Sequence, residues 1–247
     1  MLKGKHIVIT GAARGLGKAL ALEAARNGAC VGINYLHSAA EAQRLRNEIK
    51  ALGAPEPVLL PFDATSKAQI EEGLDLFLKT CPQVDGWVNN AARHVPGLLP
   101  MLSEGEIRDQ LESALMGPIL CCQAVIARML GQHRGAILNI GSIVTAKVFR
   151  GQSVYAAAKG GLATLSRALA FEYARKGLRV NCLQPGPVDT DMFKQTDGLR
   201  AGNFAAELPQ GRLVAAAGVA AMAVFLLSDQ AADITGSVVN VDGGYSL

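Results

Sequence analysis

Tyr155 and Lys159 stand four residues apart in the run YAAAKGG (155–161). On a helix that spacing puts a phenol and an ammonium on one face, one turn apart. Read alone, the pair also fits an amphipathic helix with a half-buried phenol and a solvated amine. The chemistry open to such a pair is proton transfer. An alkoxide formed when a ketone accepts hydride needs a proton at once. A free phenol, with a pKa near ~10, exchanges its proton poorly at neutral pH. An ammonium ~4 Å away in an effective dielectric of ~20 contributes at most about 4 kcal/mol, enough to lower the phenol pKa by up to ~3. Ser142, thirteen residues before Tyr155, adds a hydroxyl able to donate to the developing oxyanion.

A second cluster could hold a diphosphate. TGAARGLGKAL (10–20) carries Gly11, Gly15 and Gly17 between a strand-like run and a helix-like run. A tight turn favours residues without a Cβ, and bare backbone lets a pyrophosphate reach a helix N-terminus. The spacing is GxxxGxG rather than GxGxxG. An acid at the end of the second strand would accept hydrogen bonds from a ribose 2′-hydroxyl. The residues there are Asn34, Tyr35, Leu36, His37 and Ser38, and the first acid is Glu41. Arg14 lies inside the glycine turn, placed to meet a 2′-phosphate or to stand as a solvated loop residue. A cation without an acid favours NADPH/NADP over NAD.

These residues need a frame, and the rest of the chain supplies its pattern. Apolar runs at 6–10, 30–34, 58–62, 86–90, 136–140, 179–183 and 237–241 read as strands buried on both faces. Helical stretches fill the gaps at about 15–27, 39–52, 66–80, 103–130, 153–176 and 213–227. This alternation predicts an α/β fold, a doubly wound parallel seven-stranded sheet with helices on both faces, in one Rossmann-like domain over 1–247. Residues 187–212 have weak periodicity and several Pro and Gly, and read as a substrate lid in preference to a passive loop.

Composition narrows the function. A net charge of +3 with scattered Lys and Arg gives no electrostatic case for nucleic acid. The longest uncharged runs, 113–127 and 213–228, fall short of the ~18 residues of a membrane span. The N-terminus lacks a signal-peptide pattern. Five cysteines at 30, 81, 121, 122 and 182 show no CxxC and no ligand-like spacing, so no metal site is expected. Reduced, mostly buried thiols fit a cytoplasmic protein. The adjacent Cys121 and Cys122 read as helical core, with redox activity the other reading.

TGAARGLG (10–17), DA (63–64), NNAA (89–92), NIGS (139–142), YAAAK (155–159), NCLQPGPVDT (181–190) and ITGSVVNVDGG (234–244) together resemble the short-chain dehydrogenase/reductase family along the full chain. The nearest group resembled is the 3-oxoacyl-[acyl-carrier-protein] reductases. The resemblance implies Tyr155 as general acid, Lys159 as its partner and Ser142 as carbonyl holder, with Lys159 also reaching the nicotinamide ribose. It implies a cofactor cradle from Gly11, Arg14, Gly15, Leu16 and Gly17, with Asp63 and Ala64 at the adenine. It adds Pro185, Gly186, Val188 and Thr190 along the nicotinamide. Asn90 either meets the adenosine side or braces the sheet. The expected assembly is a homotetramer.

The sequence departs from the family twice. NNAA ends in Ala92, where glycine is usual. Ala114 stands where the family has the asparagine that completes a tetrad and helps hold a proton-relay water. Pro118 has no N–H for the carbonyl four residues back, which is that of Ala114. The freed oxygen is expected to hold the water; Ser113 points about 100° away.

Three readings follow. The first is NADPH-dependent reduction of a ketone to a secondary alcohol on a small-molecule or acyl-carrier-bound substrate, foremost a 3-oxoacyl thioester linked to acyl carrier protein or CoA. The second is an alcohol or sugar dehydrogenase. The third is a weakly active paralogue serving as an assembly partner. His94, Val95, Val148, Met192, Phe193 and Phe204 are pocket candidates. His133, Arg134, Arg175 and Lys176 are candidates for docking an acidic carrier, or plain exposed charge.

Overall fold

The computed structural model describes residues 1–189 and 208–247. Seven apolar runs form β1 (His6–Ile9), β2 (Cys30–Tyr35), β3 (Val58–Pro61), β4 (Gly86–Asn89), β5 (Gly135–Ile140), β6 (Leu178–Pro185) and β7 (Val238–Val241). They pair in the order β3-β2-β1-β4-β5-β6-β7, parallel throughout. Both faces are covered, which is why the strands lack polar alternation. In β1, Ile7 and Ile9 enter one core and Val8 the other.

The helices are α1 (Gly15–Arg26), α2 (Ala39–Ala51), α3 (Lys67–Leu78), α4 (Glu104–Leu111), α5 (Gly117–Gln132), α6 (Ser153–Tyr173) and α7 (Ala216–Leu227). Side chains from α1, α2 and α7 build the first core, and side chains from α3 and α5, with Ala170 of α6, build the second. Strand order reverses between β1 and β4, and in open parallel sheets such a switch opens a ligand crevice at the strands' carboxyl ends.

The helix expected at 103–130 is not uniform. Ser103 starts it with a capping box: its Oγ accepts from the Glu106 N–H at 3.3 Å, and Glu106 Oε2 accepts from the Ser103 N–H at 2.8 Å. Between α4 and α5, Glu112–Met116 forms a π-helical turn, closed by the Gly117 N–H on the Glu112 carbonyl. Pro118 follows directly and has no N–H to offer an i−4 or i−5 carbonyl. The whole of Glu104–Gln132 is 29 residues long, apolar enough to cross a membrane by length and composition, yet half of its most apolar window is buried inside the protein.

At the end of β2, Asn34 is buried and joins three backbones. Its Oδ1 accepts from the Gly11 N–H at 3.0 Å, and its Nδ2 donates to the Leu60 and Phe62 carbonyls at 3.1 and 2.9 Å. Asn34→Ala removes all three bonds, two of them buried, and the expected cost is on the order of 2–4 kcal/mol. Urea unfolding checks this: the midpoint should fall with the slope unchanged. An unshifted midpoint would show that the amide does not hold the strand ends.

Candidate active site

The glycine turn closes where β1 meets α1. Gly11 and Gly15 take φ of +61° and +54°, a region that favours glycine. A Cβ on Gly17 would collide with the Gly11 carbonyl oxygen and the Asn90 amide. Asn90 Nδ2 donates to the Thr10 and Gly11 carbonyls at 2.9 and 3.2 Å. Its amide is thus committed to bracing the turn. Thr10 Oγ1 accepts from the Asn90 and Ala91 N–H groups at 2.9 and 3.0 Å.

This turn fits a diphosphate. The N-terminus of α1 has no side-chain cap and no acid in its first turn, so its N–H groups and dipole face the crevice. Leu16 packs on the core behind it. Arg14 is exposed and makes no ion pair among the described residues. Past β2 the first carboxylate is Glu41, in the first turn of α2, where it pairs with Arg44 at 2.7 Å. Asp63 shapes the turn after β3, its Oδ1 accepting from the Thr65 N–H and hydroxyl at 2.8 Å each. The Ala64 carbonyl faces the start of α5, 3.7 Å from Cys121 Sγ.

Ser142, Tyr155 and Lys159 converge at the carboxyl end of β5. Ser142 is the extended residue after the strand and caps a short 3-10 turn, its Oγ accepting from the Val144 N–H at 3.3 Å. Tyr155 lies in the first turn of α6, where the Ser142 hydroxyl favours its ionised form. Lys159 is buried, and its Nζ donates to the Ile140 carbonyl at 2.7 Å. Burial pushes Lys159 down to about 8, the Cys182 thiol opposing slightly.

Lys159 does not lower the phenol as the sequence suggested. Burial pushes Tyr155 up to about 12, with only the Ser142 hydroxyl pulling it back. The lysine nitrogen is turned to Ile140 and stands 5.7 Å from the phenol ring centre. Desolvation therefore outweighs the attraction expected from spacing alone.

Two contacts were not legible from sequence. The Ile140 carbonyl is backbone and carries no side-chain signal. Gln184 Nε2 donates to Thr145 Oγ1 at 2.6 Å, tying the end of β6 to the turn that carries Ser142. Pro185 is buried, and Gly186 meets the end of β7 through its N–H on the Val241 carbonyl at 2.9 Å. Val188 forms a bridge with Val214. Thr190, Met192, Phe193 and Phe204 lie outside the described residues, as does most of the expected lid at 187–212.

His94 tilts against Tyr155, ring centres 4.6 Å apart, and burial pushes its imidazole below its ordinary value. Val148 lies in an apolar cleft of about 540 Å³ with Leu98, Leu99, Phe149 and Ala156, beside the start of α6. Ala92 needs no positive φ; among the described non-glycine residues only His133 has one. His133 and Arg134 precede β5, and Arg175 and Lys176 precede β6. In a parallel sheet that is the edge away from the subunit's own site.

Ala114 is fully buried in the π-helical turn. Ser113 faces elsewhere, its Oγ donating to the Asp109 carbonyl at 2.8 Å and accepting from the Arg93 N–H at 3.0 Å. Gln110, one turn before Ala114, is buried with neither amide atom hydrogen-bonded among the described residues. A polar residue on an otherwise inward stripe was the available signal.

A glycine turn at the sheet's switch point, with a serine, tyrosine and lysine two strands away, defines a nicotinamide-dependent oxidoreductase. Residues 11–246 match the family model described as Enoyl-(Acyl carrier protein) reductase. The 3-oxoacyl-[acyl-carrier-protein] reductase FabG of Escherichia coli (strain K12) is 38% identical over 98% of this chain and 97% of its own. Its Chlamydia muridarum counterpart is 36% identical over 99% and 98%. The crystal structure of levodione reductase aligns with a TM-score of 0.94 and 28% identity, covering 100% of this chain and 99% of that one. The chain belongs to the short-chain dehydrogenase/reductase family and is an oxidoreductase acting on CH–OH and C=O groups.

Ala114→Asn tests whether the missing amide matters. With the carbonyl at 114 denied its usual donor by Pro118, turnover should change less than tenfold, under ~1.4 kcal/mol of barrier. Steady-state kinetics checks this. A large gain would mean that the natural chain lacks a working relay.

Proposed function

We propose that this protein reduces the ketone of a 3-oxoacyl thioester to a secondary alcohol with NADPH. The observation that carries the reading is the convergence of Ser142, Tyr155 and Lys159; the cleft at Leu98, Leu99, Val148 and Phe149 also takes in Ser153 and Ala156 at the start of α6, the helix that carries Tyr155. An apolar cleft suits an acyl chain, and the curated relatives are 3-oxoacyl reductases by name. Arg14 and the acid-free end of β2 favour a 2′-phosphate, which a guanidinium recognises by charge-assisted hydrogen bonds.

Gly11, Arg14, Gly15, Leu16 and Gly17 would hold the diphosphate side, Asp63 and Ala64 the adenine, and Pro185, Gly186 and Val188 the nicotinamide. When bound, the cofactor supplies a hydride to the carbonyl carbon. Ser142 donates a hydrogen bond to the carbonyl oxygen and fixes its position. Tyr155, kept protonated at neutral pH by its burial, gives its proton to the same oxygen as charge develops there. Lys159, pushed down to about 8, holds the more acidic proton and returns it to the phenolate. Its bond to Ile140 keeps the ammonium in place while it does so.

The same reading places the enzyme in the cytoplasm, in keeping with five free cysteines. It also assembles the enzyme as a homotetramer. Phe171 on α6 is 91% exposed, and Leu111 and Met116 lie open on the long helix; a two-fold partner would cover such faces.

A panel of 3-oxoacyl thioesters, simple ketones and sugars, each with NADPH and NADH, separates the readings. The expected result is fastest turnover of thioesters with NADPH. Equal use of both cofactors would remove the role of Arg14, and faster sugar oxidation would overturn the substrate. Tyr155→Phe should keep cofactor binding and lose turnover by at least ~10²-fold. Near-normal turnover in that variant would overturn the assignment of the acid.

A further inference from the structure

The sequence draws attention to Cys121 and Cys122, yet both are buried on one helix and burial pushes both thiols up, Cys122 to about 12. Neighbouring helical residues do not face each other. A different pair does meet. Cys30 opens β2, Cys81 lies in the turn between α3 and β4, and their sulfurs are 3.3 Å apart. Closing that gap to the ~2.05 Å of a disulfide takes little more than 1 Å of movement.

The two thiols are not equivalent. Cys30 is half-buried, and its thiol donates to the Glu56 carbonyl at 3.4 Å. That leaves Cys81, buried at 2% exposure, as the donor in the thiol–thiol contact. The shared bond lowers Cys30 from its ordinary value, and it raises Cys81 together with burial. Cys30, the more accessible of the two, is therefore the one that a small oxidant reaches as thiolate.

We propose that Cys30 and Cys81 form an oxidation site that closes to an intramolecular disulfide under hydrogen peroxide. The Cys30 thiolate attacks one peroxide oxygen, and the O–O bond breaks. Cys30 becomes a sulfenic acid, and the departing hydroxide takes a proton to become water. Cys81 sulfur then attacks the sulfenic sulfur, its proton leaving with the hydroxyl as a second water. Two thiols lose two electrons and the peroxide gains them. The link joins β2 to the turn before β4 across 51 residues, at the sheet edge away from the cofactor turn. It restricts the unfolded chain and stabilises the fold.

The test treats the whole protein with hydrogen peroxide, blocks remaining thiols, digests without reductant and reads the peptides by mass spectrometry. The expected product is a cross-linked Cys30–Cys81 peptide pair two hydrogens lighter than its parts, with Cys121 and Cys122 alkylated. The oxidised protein should melt several degrees higher than the reduced one. Cys30→Ser should show neither change. Cys81→Ser should leave a sulfenic acid at Cys30 that a cyclic 1,3-dione traps. Irreversibly oxidised Cys30 beside an alkylated Cys81, a bridge to another cysteine or chain, or an unchanged or lowered melting temperature would overturn the proposal.

Discussion

An ammonium buried against a backbone carbonyl is the constraint on which the site depends. Lys159 sits inside the protein with its Nζ on the Ile140 carbonyl at 2.7 Å. Taking a cation out of water costs several kcal/mol unless the geometry repays part of it. One carbonyl repays only part, and the remainder appears as the fall of Lys159 to about 8. The same burial raises the neighbouring phenol to about 12. Desolvation thus pushes the two groups in opposite directions, and proton transfer from lysine to phenolate runs downhill.

The sheet makes this burial possible. Ile140 is the last residue of β5, an inner strand between β4 and β6, and its carbonyl lies two residues before Ser142 at the sheet's carboxyl edge. Polar side chains close the other strand ends: Asn34 at β2, Asn90 after β4 and Gln184 on β6 each bridge two segments. Their amides rigidify the crevice without placing a charge in it. The glycine turn and the proton-donating residues are then held by one continuous frame.

Much of this was legible in the sequence. Seven apolar runs became seven strands, because parallel strands covered on both faces leave an unmistakable lack of alternation. Gly11, Gly15 and Gly17 announced the turn, since their backbone geometry and close approach exclude larger residues. Three features were not legible. Spacing placed Lys159 beside Tyr155, but only the fold shows that its nitrogen turns to Ile140. Pro118 signalled a carbonyl without its donor inside one helix over 103–130, whereas the π-helical turn that divides that helix depends on how Glu112–Met116 packs. Cys30 and Cys81 are 51 residues apart, and only the sheet order brings them together.

The pH dependence of ketone reduction, at saturating NADPH and substrate between about pH 6 and pH 10, tests the central claim most directly. Lys159 must be protonated to restore the phenol, and it loses its proton near pH 8, while Tyr155 keeps its own until about 12. The rate should hold level at low pH and then fall toward tenfold per pH unit above about 8. A rate that stays constant across that whole range would contradict the account, because the buried ammonium would then take no part in the proton's path.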